Sequence, residues 1–597
     1  MKFLLVAINA KYIHSNPAVY SMKAYVGEEA GKSVEIAEYT INQYGRDILA
    51  DIYCRKPDVI GFSCYIWNWD MVQELLAELP KVLPGTKLWL GGPEVSFDAP
   101  EILKKYSQLS GIMVGEGEVT FRELLDYYRE TDVQKEMPEN ARKVLAENAQ
   151  KALPKIAGLC LPQGYTAPRE LTDLSEIPFL YSEDNKAAFE NRIIYYESSR
   201  GCPYRCSYCL SSVDKKVRFR ELELVKKELQ FFLDAKVPQV KFVDRTFNCS
   251  HEHTMAVWQY IYENDNGVTN FHFEVSADIL REEELELLSK MRPGLVQLEI
   301  GVQSTNPETI QAIQRVMDVE KLRRIVERIR AGRNIHQHLD LIAGLPFEDY
   351  NSFGKSFNQV YEMKPDQLQL GFLKVLKGSP MHERAEEYEI RYLDKPPYEV
   401  LSTKWLSYEE ILRLKGVEEM VELYYNSAQF THTLPVLQKA FASPFAMFET
   451  LAEFYRAEGH AAGGSSRMQR YDILLAFAEK YDGSRLKLYK EFLTFDMYLR
   501  EKLKTRPAFA ADLTDPCIKE QIRIFYQKEE TERKYLPDYA EYDSKQMSKM
   551  THLEPFYYAV WESEVNLQES NIPIYILFDY KRRSPLNKEA FVQVILK

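Results

Sequence analysis

Short β-branched runs alternate with helical patterns along residues 1–135, which predicts a parallel sheet covered by helices on both faces. The candidate strands are Phe3–Ile8, Ser33–Ala37, Asp58–Ser63, Lys87–Gly91 and Gly111–Val114, with helical stretches such as Met71–Leu83 between them. This order is typical of a flavodoxin-like, doubly wound α/β domain. Such a domain binds its ligand beyond the carboxyl ends of the strands.

Polar, glycine and aromatic residues follow the ends of these strands. They are Asn9, Tyr12, His14 and Ser15 after the first strand, Tyr65 and Trp67 after the third, Gly91, Gly92, Pro93, Glu94 and Ser96 after the fourth, and Gly115, Glu116, Gly117 and Glu118 after the fifth. Glycines let the backbone approach a bulky ligand closely, and aromatic rings can cover its faces. Their common placement predicts a ligand site at this edge of the sheet.

Residues 136–190 contain several prolines and charges, and we interpret them as a connector with one candidate strand, Ile156–Leu161. The alternation resumes over residues 191–400. The candidate strands there are Ile193–Ser198, Gln239–Val243, Phe271–Val275, Leu295–Gly301, His338–Ile342 and Gln367–Phe372, and the helices between them include Leu222–Ala235 and Glu320–Ala331. About six β-then-α units predict a partial (β/α)6 barrel of the TIM type, whose chemistry lies at the carboxyl ends of its strands.

Residues 401–597 have a different pattern. Helical periodicity dominates from Ser407 to Leu503, with many tyrosines and phenylalanines at core-like spacing. Near the end, Phe556–Trp561 and Ile572–Tyr580 alternate as an antiparallel pair of strands would. We therefore predict a mainly helical C-terminal domain with terminal strands, and we interpret most of its aromatic residues as packing residues.

Composition narrows the classes of function. The chain has 597 residues, of which 45% are hydrophobic, and this is enough for about three or four packed domains. No apolar run approaches the roughly 18 residues that a membrane-spanning helix requires, so we predict no membrane association. The net charge of −13 disfavours broad binding to nucleic acids. Eight cysteines, three of them in one motif, fit a reducing cytoplasm, where we expect the protein.

The three clustered cysteines are Cys202, Cys206 and Cys209, with C-x3-C-x2-C spacing. Such a triplet can hold three irons of a [4Fe–4S] cluster and leave the fourth iron open, whereas clusters for electron transfer usually have four cysteine ligands. A structural zinc site would need a fourth ligand, for which the next candidates are Cys249, His251 and His253. A disulfide would leave one cysteine of the triplet unpaired. The spacing therefore favours a catalytic cluster over zinc.

The triplet and its flanking residues resemble the signature of the radical S-adenosylmethionine (SAM) enzymes. The segment is Gly201-Cys202-Pro203-Tyr204-Arg205-Cys206-Ser207-Tyr208-Cys209. The resemblance implies that SAM chelates the open iron, and that one electron from the cluster splits it into methionine and a 5′-deoxyadenosyl radical. It also implies that Tyr208 lies against the adenine of SAM.

Other residues at the strand ends of the barrel extend this resemblance. They are Asp244 and Arg245 after the second strand, Ser276 after the third, Glu299 and Gln303 at the fourth, and Gly344 after the fifth. Residues 299–304 resemble the Glu-x-Gly-x-Gln-Ser segment of the family, and Gly344 begins a Gly-Leu-Pro turn like the one beside the adenine. The usual Gly-Gly-Glu after the second strand is absent, which leaves the contact to the SAM amino group open. Glu299 either anchors SAM or only closes the barrel.

The N-terminal domain resembles the cobalamin-binding domain of the B12-dependent radical SAM proteins. Gly91-Gly92-Pro93 and Gly115-Glu116-Gly117-Glu118 carry this resemblance most clearly. It implies that the strand-end residues of the first sheet contact cobalamin. The Asp-x-His-x-x-Gly motif, which supplies an axial histidine to cobalt in other B12 proteins, is absent. For His14, both an axial role and an ordinary hydrogen-bonding role stay open.

Together the resemblances imply an enzyme that methylates an unactivated carbon through the deoxyadenosyl radical and methylcobalamin. A substrate, small-molecule or other, and an electron donor such as flavodoxin or ferredoxin are the implied partners. The C-terminal extension resembles that of an uncharacterised subgroup, and we expect it to cap the barrel mouth. Three alternatives stay open: a rearrangement or cyclisation without methyl transfer, a methylthiotransferase with a second cluster on Cys54, Cys64 and Cys160, and a non-enzymatic redox or cobalamin sensor.

Overall fold

The computed structural model describes residues 1–134, 153–182, 189, 192–213, 216–460, 462–562 and 568–595. The first sheet contains β1 (Phe3–Asn9), β2 (Val34–Thr40), β3 (Val59–Ser63), β4 (Lys87–Gly91), β5 (Leu109–Met113), β6 (Leu159–Leu161) and β7 (Gly164–Tyr165). Its order is β2-β1-β3-β4-β5-β6-β7, with the first five strands parallel. This order confirms the flavodoxin-like, doubly wound arrangement.

Strand β1 shows why the sheet is covered on both faces. All seven of its residues are buried. Phe3, Leu5 and Ala7 pack into one hydrophobic core and Leu4, Val6 and Ile8 into another, because side chains alternate across a strand. The covering helices are Pro17–Tyr25, Glu28–Gly31, Gly45–Arg55, Trp69–Val82, Pro93–Ser96, Ala99–Lys105 and Glu118–Gln134.

The second sheet is the predicted partial barrel. The strands of this region are β8 (Ile194–Tyr196), β9 (Ser199–Arg200), β10 (Arg218–Phe219), β11 (Gln239–Phe242), β12 (Asn270–Val275), β13 (Val296–Gln303), β14 (His336–Ala343) and β15 (Gln367–Phe372). Six of them are parallel in the order β15-β14-β13-β12-β11-β8, while β9 and β10 form a separate antiparallel hairpin. The helices on the outside are Leu222–Asp234, His251–Glu263, Glu282–Lys290, Pro307–Ala312, Val319–Gly332 and Tyr350–Glu362.

Because six strands do not close a barrel, two strand edges need cover. At β8 the backbone N–H of Ile193 donates to the carbonyl of Ile13 in the first domain, at 2.8 Å. At β15 the side chain of Asn426 pairs with the backbone of Leu368, accepting from its N–H at 2.9 Å and donating to its carbonyl at 3.0 Å. Asn426 ends a π-helical turn, Val421–Asn426. Both neighbouring domains therefore cover part of the open edges of the barrel.

The C-terminal region begins with a strap, residues 373–406, which contains the short helix Pro380–Glu383 and the strands β16 (Arg391–Tyr392) and β17 (Val400–Ser402). The strap contacts the first domain, because Lys377 pairs with Asp98 at 2.6 Å and Tyr398 donates a hydrogen bond to Glu94. The helices that follow are Tyr408–Met420, Thr433–Leu437, Pro444–Ala457, Arg467–Asp482, Leu486–Arg500, Pro516–Glu532 and Ser544–Met550. Helix Pro444–Ala457 packs against helix Tyr350–Glu362, on the outside of the barrel.

Three antiparallel strands end the described chain: β18 (Thr551–Phe556), β19 (Ile574–Arg583) and β20 (Ala590–Ile595). The prediction of a strand over Phe556–Trp561 is wrong, since β18 ends at Phe556. The carboxylate of Glu491 accepts hydrogen bonds from the backbone N–H groups of Tyr557 and Tyr558 at 2.8–3.0 Å, which removes them from strand pairing.

The predicted domain boundaries after residues 135, 190 and 400 stay predictions, and part of the predicted connector, 136–190, lies outside the described residues. Within the described ranges, no helix combines the length and apolar character that a membrane span requires.

Candidate cofactor site

The three cysteines lie in the loop between β9 and the 3-10 turn Leu210–Ser212, just beyond the carboxyl end of β8. Gly201 sets the entry to this loop. Its φ is +97°, and a Cβ atom built on it would lie 2.5 Å from the carbonyl oxygen of Lys216, so only glycine fits without strain. The backbone conformation of Gly201 therefore places Cys202 at the mouth of the barrel, where the sequence predicts the catalytic cluster.

Backbone and side-chain contacts from the barrel hold this loop. The N–H of Ser207 donates to the carbonyl of Ile313 at 2.9 Å, and the carbonyl of Ser207 accepts from the N–H of Met381, in the strap, at 2.8 Å. Cys202 Sγ lies 3.6 Å from the hydroxyl of Thr246. Contacts on both sides of the loop limit how far the cysteines can move.

Arg315 lies beside the cysteines. Its Nη1 is 3.8 Å from Cys206 Sγ and 3.5 Å from the hydroxyl of Tyr208, and its Nη2 donates to the carbonyl of Gly301. Burial raises the pKa of the Cys206 thiol, and the Arg315 guanidinium acts in the opposite direction. A guanidinium here also offsets negative charge on the thiolates that an iron cluster requires.

The donor set fits an iron–sulfur cluster better than zinc. All three cysteines are free, and Cys202 and Cys206 are buried. Cubane thiolates bind separate irons and stand farther apart than the ligands of one ion. In the described parts of the chain, no three His, Cys, Asp or Glu side chains are grouped to hold a single metal ion. The candidate zinc ligands His251 and His253 are engaged elsewhere, 2.9 Å from Glu284 and 2.9 Å from Ser198.

Asp244 is fully buried behind the cysteine loop. Its carboxylate accepts hydrogen bonds from the N–H of Ser198 at 3.0 Å and from the hydroxyls of Ser198 and Ser199 at 2.7 and 2.5 Å. Burial raises its pKa to about 6. This geometry suits a residue that positions the loop, whereas the neighbouring Arg245 lines the cavity described below. The predicted SAM contacts of both residues stay predictions.

Polar side chains point into the barrel from neighbouring strands. Glu299 accepts from Lys241 at 3.0 Å and lies 3.0 Å from His272 Nε2. Burial alone would raise the pKa of Glu299, but the adjacent imidazole of His272 and the ammonium of Lys241 outweigh it and lower the pKa to about 2. On the flanking strands, burial raises the pKa of Glu274 to about 7 and that of Asp340 to about 8. TIM-type barrels usually fill this space with branched apolar residues.

The other predicted SAM residues lie near the carboxyl ends of these strands. The hydroxyl of Ser276 donates a hydrogen bond to the carboxylate of Asp278 at 2.9 Å. Gln303 adopts a φ of +71° where β13 shifts register, and its buried Oε1 has no hydrogen-bond partner among the described residues. Gly344 has a φ of +89° and packs against Val400, where a Cβ atom would approach a side-chain methyl to 2.8 Å. The roles of these residues in SAM binding stay predictions.

A cavity of about 950 Å³ separates the carboxyl edge of the first sheet from the cysteine loop. Its lining from the first domain includes Tyr65, Gly91, Gly92, Pro93, Ser96, Gly115, Glu116, Gly117 and Glu118, and from the barrel side Tyr195, Glu197, Arg200, Gly201, Leu210 and Arg245. Gly115 has a φ of +83° and open space where its Cβ would stand. The glycine-rich wall and the volume fit a large, flat ligand such as cobalamin.

Six of the predicted cobalamin residues do not line this cavity: Asn9, Tyr12, His14, Ser15, Trp67 and Glu94. His14 Nδ1 lies 2.6 Å from the hydroxyl of Tyr195, and burial lowers its pKa. Asn9 donates to the carbonyl of His14 at 3.1 Å. Tyr12 is exposed over the guanidinium of Arg192, and Ser15 is buried. His14 thus makes a hydrogen bond between domains, and its axial role stays a prediction.

Trp67 and Glu94, the other two predicted cobalamin residues outside the cavity, make contacts within and between domains. Trp67 stacks on Tyr65 with ring centroids 4.3 Å apart and donates to the carbonyl of Ile8 at 3.1 Å. Glu94 accepts from Tyr398 of the strap and lies 3.7 Å from Lys377; burial raises its pKa.

The cysteines required for a methylthiotransferase are dispersed. Cys54 is exposed on helix Gly45–Arg55, Cys64 is buried after β3 and donates to the carbonyl of Phe62 at 3.6 Å, and Cys160 is buried in β6. They belong to no metal-binding group within the described ranges.

Sequence reasoning missed Arg315, Lys241 and His272. Arg315 follows the helix Pro307–Ala312, outside any strand end. Lys241 and His272 face each other in the register of β11 and β12, which is visible only once the strands are paired. The signal available in the sequence for Lys241 and His272 was the alternation of polar with apolar residues within their strands.

Comparisons with known proteins agree with this geometry. Residues 4–125 match the family model described as B12 binding domain, and residues 196–360 match the Radical SAM superfamily. The chain therefore contains a B12-binding domain and a radical SAM domain. The predicted superfamily, fold class and cofactor set, a [4Fe–4S] cluster, SAM and cobalamin, are thereby confirmed. Residues 386–578 match a third model, a protein of unknown function (DUF4080).

Two curated relatives of this chain are described as methyltransferases. The cobalamin-dependent radical SAM methyltransferase TokK of Streptomyces tokunonensis is 25% identical over 367 residues, which cover 58% of this chain and 51% of TokK. The 2-(S-pantetheinyl)-carbapenam-3-carboxylate methyltransferase of Streptantibioticus cattleyicolor is 22% identical, over 76% of this chain and 68% of the relative. The match with TokK thus spans about half of that protein.

A solved structure shares the fold. The cobalamin-dependent SAM radical enzyme OxsB, with aqua-cobalamin and SAM bound, superposes with a TM-score of 0.55 and 14% identity, covering 83% of this chain and 78% of OxsB.

Proposed function

We propose that this enzyme methylates an unactivated carbon of a small molecule, using SAM, a cluster on Cys202, Cys206 and Cys209, and cobalamin. The observation that carries the proposal is the cavity between the two domains. One wall is the glycine-rich edge of the first sheet, and the other includes Gly201 and Leu210, which flank the segment with the three cysteines. A methyl donor on the first wall and a radical source on the second would face one substrate, which is the proximity that such a transfer requires.

The residues of the chain have distinct tasks in this proposal. The three cysteines hold the cluster, and Arg315 offsets the thiolate charge at Cys206. Asp244 fixes the strand end that leads into the cysteine loop. Arg245, exposed in the cavity, offers a cation to the carboxylate of a bound ligand. When bound, the cluster supplies an electron to SAM and cobalamin supplies a methyl group.

The names of the relatives support methyl transfer over rearrangement. Both TokK and the carbapenam enzyme are described as methyltransferases. The low identities leave the acceptor carbon unassigned. By the chemistry of the cluster the enzyme needs a one-electron reductant, for which we propose a flavodoxin or ferredoxin in the cytoplasm.

Anaerobic reconstitution tests the proposal without knowledge of the substrate. We expect corrinoid to co-purify, about four iron atoms per chain, and 5′-deoxyadenosine from SAM on reduction. Cys202→Ala should lose the iron and the SAM cleavage. The matched control Cys249→Ala, which changes a nearby cysteine outside the triplet, should keep both. Loss of metal in both variants would instead support a site that includes Cys249, as in the zinc alternative.

Isotope labelling then tests methyl transfer. SAM with a deuterated methyl group should pass its label to reduced cobalamin on the enzyme, and from there to an acceptor in a cell extract. Products formed without the label would support the rearrangement or cyclisation. About eight irons per chain would support the methylthiotransferase, since it carries a second cluster. Failure of the reduced protein to cleave SAM would support the sensor.

A further inference from the structure

A buried network of ion pairs joins the cobalamin-binding edge to the strands that flank the cysteine loop. Glu116 pairs with Arg218 at 2.5 Å and with Arg200 at 3.4 Å. Glu118 pairs with Arg200 at 2.9 Å, and Arg200 also pairs with Glu197 at 2.8 Å. Two carboxylates of the first domain thus hold two arginines of the barrel region.

The two arginines flank the cysteine loop. Arg200 and Arg218 face each other in the antiparallel pair of β9 and β10, and Arg200 precedes Gly201 and Cys202. The loop that carries all three cysteines leaves the first strand of this hairpin. A shift in the position of either arginine would therefore move the strands at which the cysteine loop begins and ends.

The carboxylates are already saturated by protein donors. Glu116 also accepts from the N–H of Thr172 at 2.8 Å, and Glu118 accepts from the hydroxyl of Ser21 at 3.2 Å. Burial alone would raise the pKa of Glu116, but Arg218 and Arg200 lower it to about 2. The side chains of Glu116, Glu118 and Arg218 are 14%, 8% and 10% exposed. Such pairs are screened little by solvent, and breaking one leaves an uncompensated charge.

We propose that Glu116 and Glu118 are positioning residues that clamp the cysteine loop against the first domain and set the distance between the cluster and cobalamin. This inference rests on the proposed function. Residues 115–118 line the cavity, and the carboxylates of Glu116 and Glu118 accept hydrogen bonds from Arg218 and Arg200. One short segment thereby contacts the ligand space on one side and the support of the cluster on the other. The resemblance to B12 proteins assigned these carboxylates to cofactor contact alone.

Hydrogen exchange on the cofactor-free full chain tests the clamp itself. The double variant Glu116→Gln/Glu118→Gln keeps side-chain size and removes both charges. We expect amides of residues 197–206 to exchange about tenfold faster or more, since buried pairs resist local opening. The control is Glu123→Gln, in the same helix as Glu118, which removes an ion pair with Arg169 whose carboxylate side chain is 44% exposed. Arg218→Lys, which keeps the charge but loses the fork, should give an intermediate rate. Equal exchange in the double variant and the control would overturn the clamp.

Pulsed electron paramagnetic resonance (EPR) on the loaded full chain tests the distance. Cobalt(II) and the reduced cluster each carry an unpaired spin, so their coupling reports the distance between them. We expect the double variant to keep both cofactors but to show a broader distance distribution than wild type or Glu123→Gln. An unchanged distribution, or loss of corrinoid itself, would overturn the positioning role. A wild-type chain that binds no corrinoid would instead overturn the proposed function, which separates the two failures.

Discussion

Replacing Gly201 with alanine should disrupt the cluster while leaving the fold largely intact. Gly201 has a φ of +97°, and the new Cβ would lie 2.5 Å from the carbonyl oxygen of Lys216. Holding a non-glycine residue in such a conformation costs about 1–3 kcal/mol. Because real Cβ contacts are essentially never below 3.0 Å, the backbone must move by about 0.5 Å.

This movement exceeds what a metal ligand tolerates. Cys202 is the next residue, and ligand distances in metal sites vary by only about 0.2 Å. We therefore expect Gly201→Ala to bind less than half of the wild-type iron and sulfide after anaerobic reconstitution. The change that SAM causes in the EPR spectrum of the reduced cluster should weaken in parallel.

Two glycines serve as controls. Gly459 has a φ of +69° but open space around its Cβ position, so Gly459→Ala tests backbone strain alone; Gly85 has neither strain nor a close neighbour. Both variants should bind iron as the wild type does. Wild-type iron and a normal SAM-dependent spectrum in Gly201→Ala would refute the argument.

Three further outcomes follow from buried contacts. Glu228→Gln should lower the free energy of unfolding by roughly 3–5 kcal/mol, because the charge of the buried Arg220 would be left uncompensated; a loss below roughly 1 kcal/mol in a denaturant titration would contradict this. Asn426→Ala should cost about 1–3 kcal/mol, because it unpairs the backbone of β15. The exposed Asn264→Ala should cost less than about 0.5 kcal/mol by the same measurement. Burial raises the pKa of Asp340 to about 8, so the folded cofactor-free protein keeps this carboxyl neutral while the unfolded chain ionises from about pH 4. The free energy of unfolding of the cofactor-free protein should therefore fall between about pH 4 and pH 8. Asp340→Asn should flatten this fall, and a pH profile identical to that of the wild type would count against the assignment.

Several strands were predictable from the sequence because the relevant signals are local. The predicted strand Lys87–Gly91 coincides with β4, since its apolar run ends in glycine before a proline. The role of the three cysteines as cluster ligands was predictable for the same reason, because their spacing in the sequence indicates the kind of cluster that they hold. Neither inference needed residues distant in sequence.

Contacts between distant residues were not predictable. The end of β18 depends on Glu491, which lies 66 residues before Tyr557 in the chain. Arg315 reaches Cys206 across 109 residues, and Glu116 finds Arg218 across 102. A carboxylate after a strand end can contact a bound ligand or pair with an arginine that is distant in sequence. Only the packed structure shows which of these partners it has.

The cover on the two open edges of the barrel has a consequence for dissection of the chain. Ile13 from one side and Asn426 from the other occupy backbone groups that a free barrel would expose to other molecules. Unpaired outer strands recruit strands from neighbouring copies. A fragment limited to residues 191–400 should therefore associate with itself and precipitate, even if each of its helices and strands formed correctly.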